Sequence, residues 1–157
     1  MINHELEVLL KASCIGISLG NSDLAHLSSK LQVLYYIQIA NEIAKIQRNG
    51  KLLDWGCGYG QMVYLLKNRG LEVIGYEIKK RRNIDRIFPF SGLNIVYGSH
   101  NCQLPFENES FAGVLSCGTL EHVDDKRCSL KEIYRVLQEK GYFLYICYLI
   151  NTHIQNG

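Results

Sequence analysis

Apolar positions along this chain recur at two different spacings, and the spacings alternate. Leu27, Leu31 and Leu34, then Ile39, Ile43 and Ile46, return every three or four residues, except at the join between 34 and 39. This periodicity predicts a helix across "GNSDLAHLSSKLQVLYYIQIANEIAKIQRNG", capped near Asn21 or Ser22 and stopped around Asn49 and Gly50. "KLLDWG" follows as a short apolar run ending in a glycine turn, which suits a buried parallel strand. "QMVYLLKNRG" returns to helical spacing, with Met62, Leu65 and Leu66 inward and Gly70 as a left-handed stop.

The alternation continues to the end of the chain. "LEVIGYEI", "LNIVYGS" and "FAGVLSCG" read as strands, and "KKRRNIDRIF" reads as a polar helix between the first two. "SLKEIYRVLQEKG" reads as a helix with Leu130, Ile133, Tyr134 and Leu137 as its apolar positions, a Ser129–Glu132 capping box and Gly141 at its end. "YFLYICYLI" (142–150) is a fifth strand. Strands alternating with helices imply an α/β fold: a Rossmann-like open, twisted, mainly parallel sheet of about five strands with helices on both faces.

Composition narrows the class. The 157 residues fit a single domain: a helical segment at 1–49, an α/β core at 50–150 and a tail at 151–157. Apolar residues make up 47% and charged residues 20%, as in soluble globular proteins. A formal charge of +2 gives no reason to expect a nucleic-acid or anionic-membrane partner. The longest apolar run, 142–150, is about half the roughly 20 residues a membrane-spanning helix needs. None of the six cysteines forms a CxxC pair, so no metal is expected, and dispersed free thiols suit a cytoplasmic location. The run Lys79, Lys80, Arg81 and Arg82 reads as a solvated face.

The candidate chemistry lies in "LLDWGCGYG", residues 52–60. A glycine loop between a strand and a helix lets backbone approach a ligand closely. The dinucleotide fingerprint G-x-G-x-x-G would need glycine or alanine at 61, where this chain has Gln61, which disfavours a nicotinamide oxidoreductase. Glu77 ends the second strand, 17 residues beyond Gly60, where a carboxylate can accept both hydroxyls of a ribose. Then come "LPFENESFAGVLSCGTLEHVDD" (104–125) and "LKEIYRVLQEKG".

With these four motifs in order, residues 50–149 resemble the class I S-adenosylmethionine-dependent methyltransferases, in particular their broad small-molecule, type-11-like branch. The resemblance implies S-adenosyl-L-methionine as cofactor and direct in-line transfer of its methyl group to a small-molecule acceptor. It implies that Asp54 holds the cofactor's amino-acid end, and that Gly56, Cys57, Gly58 and Gly60 form the loop beside it. Glu77 holds the ribose, Ile78 forms a shelf against adenine, and Cys117 and Gly118 lie beside the sulfonium. "YGSHNCQLPF" lacks the acid that usually binds the adenine amino group, so Asn101 or the backbone around Cys102 takes that place. "SCGT" at the end of the fourth strand is not the [DN]-P-P-[YF] of amino-methylating relatives, which disfavours nucleobase and glutamine-amide acceptors. His122, beside Glu121, is the candidate catalytic residue. The family's sheet usually has seven strands, so the resemblance also implies shortening after the fifth. That strand would be an exposed edge seeking self-association or a partner strand. A non-catalytic, cofactor-binding or interaction domain is the alternative expectation.

Overall fold

Four consecutive residues, Leu52–Trp55, are buried without interruption, and the sheet is built outward from them as strand β1. The computed structural model describes residues 2–47 and 49–147. β1 pairs in parallel with β2 (Val73–Glu77) on one edge and β4 (Phe111–Cys117) on the other. β3 (Ile95–Tyr97) adds beside β2, and β5 (Leu137–Ile146) adds beside β4. Among the described residues the order is β3-β2-β1-β4-β5, all parallel, which is the Rossmann-like sheet the alternation predicts. The strand order reverses at β1, where open α/β sheets form their ligand crevice.

Period-two alternation sends the side chains of β1 to two separate cores. Leu52 joins Leu9, Leu27, Ile37 and Leu65 beneath α1 (Ile2–Ser18), α2 (Lys30–Ile46) and α3 (Gln61–Lys67). Leu53 and Trp55 join Phe111, Val114, Ile133 and Val136 beneath α4 (Lys126–Val136). Helices therefore cover both faces. No helix among the described residues is long and apolar enough to cross a membrane.

The N-terminal third departs from the predicted single helix. A 3-10 segment occupies Ser22–Ser28, and α2 begins only after Ser29, whose hydroxyl accepts from Gln32 N at 3.4 Å. This break rotates the apolar face. Val33, Tyr36, Ile37, Ala40 and Ile43 are buried, whereas Leu31 and Ile46 are 79% and 57% exposed. α1 carries no individual prediction because its buried face includes Ala12, Ser13 and Gly16, small residues with little hydrophobic signal. Its buried Glu5 receives Arg69 in a two-pronged ion pair at 2.9 and 3.1 Å, and Arg69 Nε also donates to Asn41 Oδ1 at 2.8 Å. One guanidinium thus ties the end of α3 to both N-terminal helices.

Two further elements differ. "KKRRNIDRIF" contributes only a 3-10 turn at Ile84–Arg86. α4 stops at Val136 rather than Gly141, because Leu137 already pairs with Phe111 in the sheet. A register shift follows, the polar residues 138–140 stay exposed, and regular pairing resumes at Tyr142 with Gly113. The predicted strand positions 148–150 and the tail 151–157 lie outside the described residues. Leu130 and Tyr134 face outward, at 40% and 83% exposure.

The predicted capping box is replaced by a longer-range device. Asp125 caps α4, its Oδ1 accepting from Cys128 N at 2.8 Å, while Ser129 donates back to Asp125 O at 3.0 Å. Glu132 instead accepts from Leu104 N at 2.9 Å and from Arg135 at 2.8 and 2.9 Å. Arg135 in turn donates to the carbonyls of Leu104 and Phe106 at 3.1 and 2.8 Å. The Leu-Pro-Phe segment and the Glu-x-x-Arg helix are therefore two halves of one staple. These charge-assisted bonds hold the Glu132 carboxyl below its ordinary range, and the hydrogen bond from Arg135 is the largest cause.

Candidate functional site

The C-terminal ends of β1, β2 and β4 open into a cleft of about 520 Å³. Its floor starts with Asp54, which shares the Leu52 face of β1 and is 2% exposed. Its Oδ2 has no hydrogen-bond partner among the described residues. Burial, and then the nearby charge of Glu77, push the Asp54 carboxyl up from 3.8 to about 7. The site therefore holds an acid poised to ionise near neutrality and lacking a cation.

The loop above it is drawn onto β2 by Gly56 N and Cys57 N, which both donate to Tyr76 O at 2.8 and 3.0 Å. Gly56 packs so closely on Thr119 that a Cβ there would overlap the threonine side chain, and Thr119 Oγ1 donates to Gly56 O at 3.1 Å. Gly58 does a different job. It has φ +59°, and an added Cβ would meet nothing nearer than Gln61 Oε1 at 3.9 Å, so its missing side chain leaves room in the cleft. Gly60 lies at the N-cap of α3, against Leu93 and Ile95 and away from the cleft lining.

Glu77 closes the floor and organises it. Its Oε2 accepts from Gly58 N at 3.0 Å and from Arg81 Nη2 at 3.4 Å, and its Oε1 accepts from Ile78 N at 2.8 Å. A carboxylate has about four acceptor positions, so roughly one remains, or two once the long Arg81 contact yields. Ile78 is 45% exposed and lines the same side, as does Asn101.

Cys117, Gly118, Thr119 and His122 line the opposite side, with His122 in a 3-10 turn at Leu120–His122. Burial raises the Cys117 and Cys57 thiols well above their ordinary range, so neither is a thiolate nucleophile at neutral pH. Cys57 is buried beneath the loop, where Gly75 leaves space for its sulfur. The Cys102 side chain turns away from the cleft, with Sγ 3.9 Å from Asp125 O and 4.0 Å from Ser129 Oγ. The structure thus gathers Gly56, Gly58, Glu77, Ile78, Asn101, Cys117, Gly118 and His122 around one cleft, with Asp54 beneath it. It places Gly60 and the side chains of Cys57 and Cys102 elsewhere.

The cleft also has a roof, to which the sequence motifs do not assign His26 or Gln32. His26, Gln32 and Tyr36 reach over it from the 3-10 segment and α2. His26 Nδ1 lies 2.7 Å from Asp23 O, and a carbonyl only accepts. In the neutral ring Nδ1 therefore carries the hydrogen and Nε2 the lone pair. Arg81 corrects the solvated-face reading of the basic run: it bridges Glu77 to Asp23 at 3.3 Å and lies 5.7 Å above the Tyr59 ring. Tyr59 OH also donates to Asp23 Oδ1, at 2.7 Å. No local spacing signals these contacts, because Asp23, Tyr59 and Arg81 belong to separate elements.

Comparison with known proteins gives a consistent result. The sequence profile described as a methyltransferase domain matches residues 53–145. YrhH of Bacillus subtilis (strain 168) is 35% identical over 112 residues, covering 68% of this chain and 62% of its own length. The O-methyltransferase resE of Aspergillus sclerotiorum is 29% identical over 112 residues, covering 67% of this chain and 42% of its own. Among solved structures, a SAM-dependent methyltransferase from Thermotoga maritima superposes with a TM-score of 0.56 at 27% identity, over 70% of this chain and 50% of that one. The chain spans between 42% and 62% of the length of these relatives.

Proposed function

We propose, for a chain that belongs to the methyltransferase-domain family, that it transfers a methyl group from S-adenosyl-L-methionine to a small-molecule acceptor by in-line displacement at sulfur. The observation that carries this reading is Asp54, a buried acid with an unpartnered oxygen directly beneath a glycine loop. Its natural complement is a cationic amino-acid group. The residues present fit the cofactor: Asp54 for the ammonium, Gly58 for close backbone approach, and Glu77 for the ribose hydroxyls. Ile78 offers an apolar shelf for the base, and Asn101 a polar edge in place of an acid.

The chemistry that the cofactor supplies when bound is an electrophilic methyl on a cationic sulfur that is its own leaving group. The chain's contribution is then orientation and exclusion of water. Cys117 and Gly118 form the wall against which the two reactants align, and their half-buried, protonated thiol and bare backbone present no competing nucleophile. His122 takes the acceptor side as the residue able to hold a proton released there. His26, with its Nε2 lone pair, faces the same space from the roof. The cleft suits a small acceptor in size, and the similarity to an O-methyltransferase supports a hydroxyl acceptor. All six cysteines are free, in keeping with a cytoplasmic location.

Calorimetric titration with S-adenosylhomocysteine, followed by transfer of a labelled methyl group to a panel of hydroxyl and amine acceptors, tests the proposal. Micromolar binding with turnover on any acceptor supports it. Binding without turnover across the panel reduces the chain to a cofactor-binding domain. A folded chain that does not bind sinks the reading.

A further inference from the structure

Three side chains outside the cleft come together around the N-terminus of α4. Cys102 lies in the long connection between β3 and β4, Asp125 caps the helix, and Cys128 stands in its first turn. Their donor atoms, two sulfurs and a carboxylate oxygen, all lie within 4.8 Å of one another. We propose that Cys102, Asp125 and Cys128 form a binding site for a single thiophilic divalent cation, of which zinc is the natural example. This site is independent of the methyl-transfer reading.

The ligand chemistry is coherent. Two thiolates and a carboxylate neutralise and exceed a divalent charge, and sulfur ligands select zinc over magnesium or calcium. Bond lengths of about 2.3 Å to sulfur and 2.0–2.2 Å to oxygen place tetrahedral ligand atoms roughly 3.5–4 Å apart. Small side-chain rotations at the two cysteines reach that spacing. Neither helix capping nor packing uses up the donors. The cap engages Asp125 Oδ1, leaving the carboxylate's other oxygen, and Cys102 Sγ makes only long, weak hydrogen-bond contacts, at 3.9 Å to Asp125 O and 4.0 Å to Ser129 Oγ, which a metal bond replaces. Three protein ligands leave a fourth position for water, and Asp125 is exposed, so an ion has a route in. The sequence hides the site because its two cysteines are 26 residues apart and share no CxxC spacing. Binding displaces the two thiol protons to solvent as each sulfur–metal bond forms.

The test is cobalt(II) titration of the full, reduced, chelator-treated chain under anaerobic conditions, followed by zinc competition. One cobalt per chain is expected, with a thiolate charge-transfer band and tetrahedral visible absorption that zinc abolishes. Cys102→Ser and Cys128→Ser each diminish the band and weaken binding at least about tenfold, and the double variant removes it. Asp125→Asn keeps a helix cap, so it retains the fold by circular dichroism while also weakening binding. Cys14→Ser, an exposed thiol outside the cluster, leaves the titration unchanged. The proposal falls if no stoichiometric uptake occurs, or if uptake persists in the Cys102→Ser, Cys128→Ser double variant. It also falls if the purified chain holds the pair as a disulfide, lighter by two hydrogens, that takes up metal in neither redox state.

Discussion

The floor and the roof of the cleft are made in opposite ways. The floor is nearly continuous in sequence: Asp54 through Gly58, with Glu77 one strand away, is largely buried and held by backbone hydrogen bonds into the sheet. The roof comes from residues 22–36, ranges at its cleft face from exposed His26 through half-buried Gln32 to buried Tyr36, and is positioned by tertiary ties. Those ties are the Asp23–Tyr59–Arg81 cluster and the buried Glu5–Arg69 pair behind it. A floor of this kind is stiff and chemically specific, because its backbone is tied into the sheet while Asp54 and Glu77 keep acceptor positions open to the cleft. A roof that packs on the core through Leu24, Leu27 and Val33 and presents only a few side chains to the cleft can be re-cut there for different acceptors without disturbing the floor.

The largest expected effect comes from cutting the roof's anchor. Arg69→Ala leaves Glu5 charged and buried, and should cost about 3–5 kcal/mol in denaturant unfolding. Hydrogen exchange should rise in α1 and residues 22–28 before it rises in the sheet. If the sheet opens equally, the two regions form one cooperative unit and the contrast is void.

Asp54→Asn acts on the floor with opposite signs for stability and binding. The folded chain keeps the Asp54 proton up to about pH 7, whereas an unfolded aspartate loses it near 3.8. The folded state therefore binds more protons between those values, and this group's contribution to stability falls as pH rises through the window. The asparagine variant should flatten that dependence and be more stable than wild type at pH 8, by roughly 2–4 kcal/mol. It should also weaken S-adenosylhomocysteine binding, and abolish the tightening expected in wild type between pH 6 and 8 as Asp54 ionises.

Gly58→Arg combines roughly 1–2 kcal/mol of left-handed backbone strain with a side chain in the ligand's path. Titration calorimetry should show a loss of more than about 100-fold in affinity. The smallest effect is expected at the roof's exposed surface. His26→Ala and Gln32→Ala should alter stability by no more than about 0.5 kcal/mol and leave S-adenosylhomocysteine affinity nearly unchanged, while changing the acceptor rate or preference. Equal losses of cofactor-analogue affinity at floor and roof would erase the proposed division of labour.

The strands and the location of the cleft were legible because each strand announces itself locally. "LLDW" is an unbroken apolar run, and "VIGYE" ends on the acid that reaches back to Gly58. The misread elements are those where side chains bond at long range. Glu132 looked like half of a local capping box, yet it serves Leu104 and Arg135. Ser29 interrupts an apolar period that the remaining residues carry on through it.

The sequence by itself determined the parallel sheet, the glycine loop at the end of its central strand and the acids beside it. Those features follow from chain-local sterics and two-residue or four-residue periodicity. Only the tertiary structure decided that Arg81 leaves the solvated face to bridge Glu77 and Asp23, that Cys102 turns from the cleft towards Cys128, and that His26 and Tyr36 close the roof. Each of these joins elements far apart in the chain. Such contacts depend on which faces the helices bury, and no local spacing encodes them.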